Sequence, residues 1–139
     1  MNRFLSTLCL MALTLPLLAQ RPDSVYVRPC VRNGERDFRI EWSLDGKHWN
    51  KVECNLFESD FGAWGSEKKI YYPVMSYDGE EYMVSFIPNP KLNQTAITSS
   101  RDFSLFKPQE YPYHSEEEFN RLLQEHKQGS ANNVIRIPY

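Results

Sequence analysis

The chain has 139 residues, of which 24% are charged and 14% aromatic, with a formal net charge of −2. That composition excludes the basic surplus of a nucleic-acid binder and the polar bias of a disordered chain, and it bounds the chain at one globular domain.

The first residues read as a targeting segment. Asn2-Arg3 supplies a short positive region, Phe4 to Leu18 is almost wholly apolar, and Ala19 is a small residue ahead of Gln20. This is the pattern of a signal peptide over residues 1–19, which places the protein outside the cytoplasm, secreted or periplasmic. The apolar run of about 15 residues falls short of the roughly 20 that a spanning helix needs, so no membrane span is expected after cleavage. Cys30 and Cys54 follow. In an exported chain they fit one disulfide or two buried free thiols, and both readings stay open. His48, His114 and His126 are scattered, without partners at metal-binding spacing. No phosphate loop or Ser/His/Asp arrangement is visible, so neither metal nor cofactor is expected.

Short strands follow. Val25 to Arg28 is one, ended by Pro29, with a turn over Val31 to Asp37 around Asn33-Gly34. Phe38 to Ser43 alternates strictly, putting Phe38, Ile40 and Trp42 on one face. Asp45-Gly46 then makes a turn before an outer segment from Trp49 to Glu53. Ile70 to Tyr77 is rich in β-branched and aromatic residues and ends at Asp78-Gly79, a strong hairpin signal. Glu81 to Ile87 is apolar on both faces, as in a strand covered on both sides, and Pro88-Asn89-Pro90 stops it. Thr95 to Ser99 completes an antiparallel meander. Asn93-Gln94-Thr95 matches a glycosylation acceptor and is read as incidental.

The period changes after Pro112. Ser115 and Glu118 form a capping box, and Phe119, Leu122, Leu123 and His126 share one face of a helix of about 13 residues that stops at Gly129. His126 reads as a boundary residue of that stripe, and Lys127 suits the negative end of the helix dipole. Val134 to Tyr139 reads as a terminal strand with no evident partner, which favours a truncated chain.

One signature occurs twice. Ser43, Asp45 and Trp49 stand in the same relative places as Ser100, Asp102 and Phe106, with Lys51 and Pro108 following at equal distance. A repeat of roughly 40–60 residues made of short strands is the mark of a β-propeller blade. Ser-x-Asp-Gly-x-x-Trp is similar to the sialidase Asp-box pattern, though one residue shorter. Over about residues 38–112 the chain resembles the five-bladed propeller glycoside hydrolases, families 43 and 32. The resemblance is carried by Ile70 to Val74, Glu81 to Phe86 and Thr95 to Asp102. It implies a mainly β fold of one to two blades over residues 20–112, followed by the helix and strand of 113–139. Further blades would come from the same or another chain.

It also implies carboxylate chemistry on oligo- or polysaccharide. Asp60 and Glu67 are the catalytic candidates, because they flank the loop Asp60 to Gly65 where such propellers present ligand-facing groups, although neither sits in the family's catalytic patterns. Phe61 and Trp64 in that loop are the substrate-binding candidates, since ring faces stack on sugars; the bland alternative has both filling core. Ser43, Asp45, Trp49, Ser100, Asp102 and Phe106 are assigned to turn structure, because they repeat. The expectation is therefore a partial family-43-like glycoside hydrolase, with a non-catalytic carbohydrate-binding module as the rival. Nucleic acid is not expected as a partner.

Overall fold

A computed structural model describes residues 24–32, 36–62 and 68–138. The proposed signal peptide, Trp64 and Glu67 lie outside the described residues. The described chain is mainly β, with antiparallel sheets and a single helix near its C-terminus.

The first sheet is built from β1 (Ser24–Arg32), β2 (Asp37–Ser43), β3 (Asn50–Lys51) and β4 (Phe57–Glu58). β1 and β2 pair along their whole length, from Tyr26 opposite Ser43 to Arg32 opposite Asp37. The chain then returns along β2, first as β3 and then as β4. The second sheet is the expected meander: β5 (Tyr71–Tyr77), β6 (Tyr82–Ile87) and β7 (Ala96–Ser100), in that order. Asp78 Oδ1 closes its first hairpin by accepting from the amides of Glu80 and Glu81, both at 2.8 Å, with Gly79 at φ +101°. Residues 107–112 run back along β7 through backbone bonds such as Glu110 N to Ile97 O at 2.9 Å. Both sheets thus repeat one plan, a hairpin whose second strand ends in a Ser-x-Asp turn and is followed by an irregular returning segment.

Alternation explains the core. Val25, Val27, Phe38 and Ile40 point inward from the first sheet; Met75, Tyr82, Val84, Phe86 and Ala96 do so from the second, all in one buried cluster. Aromatic rings cross it. Phe57 stacks on Phe38 at 4.7 Å and reaches Phe86 at 6.2 Å in the facing sheet, and Phe103 stacks on Tyr82 at 4.0 Å. Such pairs add about 0.5–1.5 kcal/mol each beyond the area they bury.

Helix α1 (Glu116–Ala131) lies against β5 and β6 on the outer side of the second sheet. Ser115 is its N-cap, accepting from Glu118 N at 3.1 Å. Phe119 and His126 are its buried residues. His126 Nε2 lies 2.8 Å from Ser85 Oγ, and its Nδ1 lies 2.8 Å from Leu122 O.

Several expectations are corrected. β1 runs through Pro29 instead of ending there; beyond Val27 it has no pairing with the strand Ile135–Pro138 that covers its other edge, and proline is tolerated on such an edge. The outer segment Trp49 to Glu53 reduces to Asn50–Lys51, and β4 was not foreseen. β5 carries a bulge between Tyr71 and Val74, with Tyr72 at φ +53°. The helix passes through Gly129, where a Cβ would meet Val74 Cγ2 at 3.2 Å, so this glycine permits close approach of helix to sheet and does not stop it. Lys127 is consequently short of the last turn, and its ammonium sits 5.6 Å from the Tyr72 ring centroid. Met83 on β6 is exposed, because the helix does not cover that part of the face.

The terminal run has a partner after all. β8 (Ile135–Pro138) pairs antiparallel with β1, Ile137 opposite Val25, and buries Ile137 in the shared core. Cys30 and Cys54 are free, the first half-buried and the second exposed, so neither a bridge nor a buried thiol pair is formed.

Candidate functional site

The repeated signature makes two turns of the same construction. Ser43 Oγ accepts from Gly46 N at 2.9 Å, and Asp45 Oδ1 accepts from the amides of Lys47 and His48, each at 2.8 Å. In the second copy Ser100 Oγ accepts from Asp102 N at 3.2 Å, while Asp102 Oδ1 accepts from Ser104 N at 3.0 Å and Leu105 N at 3.1 Å. Bonds donated to a carboxylate favour its charged form. The backbone of His48, then its side chain, hold Asp45 well below the usual carboxylate range. The Ser104 side chain, followed by the amides of Ser104 and Leu105, brings Asp102 down to about 2. A general acid for glycoside cleavage needs the opposite shift, so neither carboxylate suits that role. The aromatics part company. Phe106 packs on Phe57 at 4.9 Å, whereas Trp49 carries the Arg28 guanidinium 4.1 Å from its ring centroid.

The loop marked by Asp60 begins where β4 ends. Phe61 is 3% exposed and packs edge-on to Tyr111 with centroids 4.9 Å apart. It fills core and offers no face to a sugar, which corrects its assignment as a stacking residue. Asp60 is exposed, and its Oδ1 accepts from the Tyr111 hydroxyl. Burial first, and Asp60 second, push that phenol above its ordinary range. Gln109 completes the contact: its Nε2 donates to Glu58 O at 2.8 Å, and its Oε1 accepts from Asp60 N at 3.2 Å. The structure thus brings Asp60 and Phe61 together with Gln109 and Tyr111, while the other two loop candidates lie outside the described residues.

Beside this loop is a polar recess of about 160 Å³, lined by Arg36, Asp37, Glu58, Ser59 and Lys68. Strand pairing creates it, because Asp37 on β2 faces Glu58 on β4. Asp37 and Ser59 are 6% and 5% exposed, yet Asp37 Oδ1 and Ser59 Oγ have no hydrogen-bond partner among the described residues. The other oxygen of Asp37 lies 3.5 Å from Arg39 Nη2. Leaving a buried polar atom unpaired costs about 1–3 kcal/mol, so two in one small recess point to an occupant that can bond to them. Two carboxylates and two basic side chains line it, so its formal charge balances.

A second, shallower hollow of about 540 Å³ lies at the end of β7, against Arg101, Leu105, Phe106 and Lys107. Lys107 Nζ pairs with Glu81 at 2.7 Å there, and Leu105 is 79% exposed. Among the described residues no group of three or more His, Cys, Asp or Glu is placed to hold a metal ion. No helix in the described chain is long and apolar enough to cross a membrane.

No family model, no curated protein and no solved structure matches the chain. The site therefore stands on its own geometry.

Sequence reasoning missed Asp37, Ser59, Gln109 and Tyr111. Asp37 and Ser59 become neighbours only through the β2–β4 pairing, and Gln109 and Tyr111 reach the loop from about 50 residues away. The one local signal was an acidic residue on the strand face next to an apolar alternation, at Asp37-Phe38.

Proposed function

We propose that the protein is an exported glycan-binding β-sheet module whose ligand enters the recess between β2, β4 and Lys68. The observation that carries this reading is the pair of buried oxygens, Asp37 Oδ1 and Ser59 Oγ, that have no partner among the described residues, in a recess of balanced charge. A carboxylate oxygen only accepts, so the ligand must present donors; the Ser59 hydroxyl both donates and accepts, so a ligand group that does both suits it. Neutral polyols do both at adjacent atoms. At about 30 Å³ per water the recess of about 160 Å³ has room for about five waters, enough for one edge of a sugar ring with the hydroxyls on it. The signal-like N-terminus and the resemblance to propeller glycoside hydrolases support the same ligand class.

A hydrolytic form of this reading needs a second carboxyl about 5–9.5 Å from Asp60, the role given to Glu67. Binding without cleavage is the reading favoured here, because the Asp60 carboxylate is already held by Tyr111.

The test is a titration of the full chain with neutral mono- and oligosaccharides, followed by amide chemical shifts. Perturbations are expected at Asp37, Glu58 and Ser59, with affinity reduced at least tenfold in both Asp37→Asn and Ser59→Ala and no release of reducing ends. Shifts confined to other residues, or none at any sugar concentration, would overturn the assignment. Release of reducing ends that disappears in Asp60→Asn would establish the hydrolytic form instead.

A further inference from the structure

Ser59 has an unusual support. Its two neighbouring peptide groups are both held by one side chain from the irregular segment that runs back along β7. Gln109 Nε2 donates to the carbonyl of Glu58 at 2.8 Å, and Gln109 Oε1 accepts from the amide of Asp60 at 3.2 Å. The carboxamide therefore spans Ser59 as a strand residue would, with one donor and one acceptor facing the complementary backbone groups. Ser59 N adds a third tie, donating to Arg36 O at 3.3 Å. The backbone of Ser59 is held on three sides while its hydroxyl has no partner among the described residues. Gln109 Oε1 also lies 2.6 Å from the Tyr111 hydroxyl, whose single proton serves either it or Asp60 Oδ1, on a ring packed against buried Phe61.

We propose that Gln109 is the positioning residue of the recess, fixing the direction of the Ser59 hydroxyl and thereby its ability to bond a ligand hydroxyl. This rests on the reading that the recess binds a glycan. Without Gln109, Ser59 would be tied by its own amide and by β4, a strand of two residues, with neither the Glu58 carbonyl nor the Asp60 amide held by that side chain. A clamp that satisfies both flanking peptides holds them before a ligand arrives, which is how preorganisation raises affinity.

Two measurements on the full chain separate this proposal from the function it rests on. The first uses no ligand. Hα–Hβ couplings of Ser59 report one rotamer in the native protein; in Gln109→Ala they average, and exchange of the Asp60 amide speeds at least tenfold. Unchanged couplings in Gln109→Ala overturn the proposal whether or not any sugar binds. The second is a double-mutant cycle with the neutral sugars that shift the recess resonances. Ser59→Ala and Gln109→Ala each weaken binding about tenfold, and the double variant binds no more weakly than Ser59→Ala alone. Additive losses would show that Gln109 acts on general stability and not through Ser59. Gln109→Met, which keeps the length and apolar stem but not the two bonds, should behave as Gln109→Ala; native affinity in it would also overturn the assignment. If no sugar binds the native protein, the glycan reading fails while the coupling measurement still decides the role of Gln109.

Discussion

Phe103 allows a sign-level test of how the second turn is held. It occupies the repeat position of Gly46, and both have left-handed backbone, φ +58° and +76°. For a non-glycine residue that conformation costs roughly 1–2 kcal/mol. Phe103 meets this cost by being fully buried, its ring 4.0 Å from that of Tyr82. Removing the ring should cost about 3–5 kcal/mol. Phe103→Ala loses the ring and keeps the strain. Phe103→Gly loses the ring, releases the strain, and gives back about 0.5–1 kcal/mol through a freer unfolded chain. The glycine variant should therefore be the more stable of the two by about 0.5–1 kcal/mol, the reverse of their order in a strand interior. Urea denaturation of both variants, with slopes compared to confirm that the unfolded states match, reads the difference. Gly46→Ala supplies the mirror: its Cβ would meet the Tyr26 ring at an ordinary 3.7 Å, so the loss of about 1 kcal/mol would be conformational alone. An alanine variant at position 103 at least as stable as the glycine variant would refute the argument that burial offsets strain there.

Two further outcomes follow from local geometry. Gly129→Leu forces a side chain into the space filled by Val74, where even a Cβ comes to 3.2 Å, and should destabilise by about 1–3 kcal/mol in thermal unfolding; a rise in stability would show that the helix can lift off β5 freely. The exposed Asp45–His48 pair, Nδ1 to Oδ2 at 2.5 Å, raises the His48 pKa above its ordinary 6.5 and lowers that of Asp45 below 3.8. The His48 contribution is complete below pH 6.5 and fades as pH rises through its raised value; the Asp45 contribution is complete above pH 3.8 and fades as pH falls through its lowered one. Imidazole shifts should titrate above 6.5 in the native chain and move back toward 6.5 in Asp45→Asn. An unchanged midpoint in that variant would remove Asp45 as the cause.

The features readable from sequence were those made by neighbours along the chain. Asp78-Gly79, the Ser115 N-cap and the Ser-x-Asp turns each need only three or four consecutive residues, and each has its chemistry there. The features that escaped depend on distant partners. Gly129 reads as a helix stop until Val74 is placed beneath it, and Pro29 reads as a strand end until the edge it occupies is known. Phe61 reads as a sugar-stacking candidate until tertiary packing draws it into the core, and buried Phe103 accepts a backbone conformation that its residue type disfavours. The recess was invisible for the same reason. Asp37 and Ser59 are unremarkable polar residues until β4 folds back on β2 and buries both.

The pairing of β8 with β1 has a kinetic side. Arg136 Nε donates to Ser24 Oγ at 2.6 Å across a sequence separation of 112 residues, whereas the β5–β6 hairpin closes over a handful. Loop-closure entropy grows as (3/2)RT ln n, so bringing β8 to β1 from an open chain costs about 3 kcal/mol more than closing that hairpin. The second sheet can therefore form from nearby segments, and the first is finished only when residues near 136 have been synthesised. Until then one edge of β1, with Val25 and Val27 beside it, stays uncovered during synthesis. A strand edge open that long is a template for pairing with another chain, so β8 acts as the molecule's own guard against aggregation.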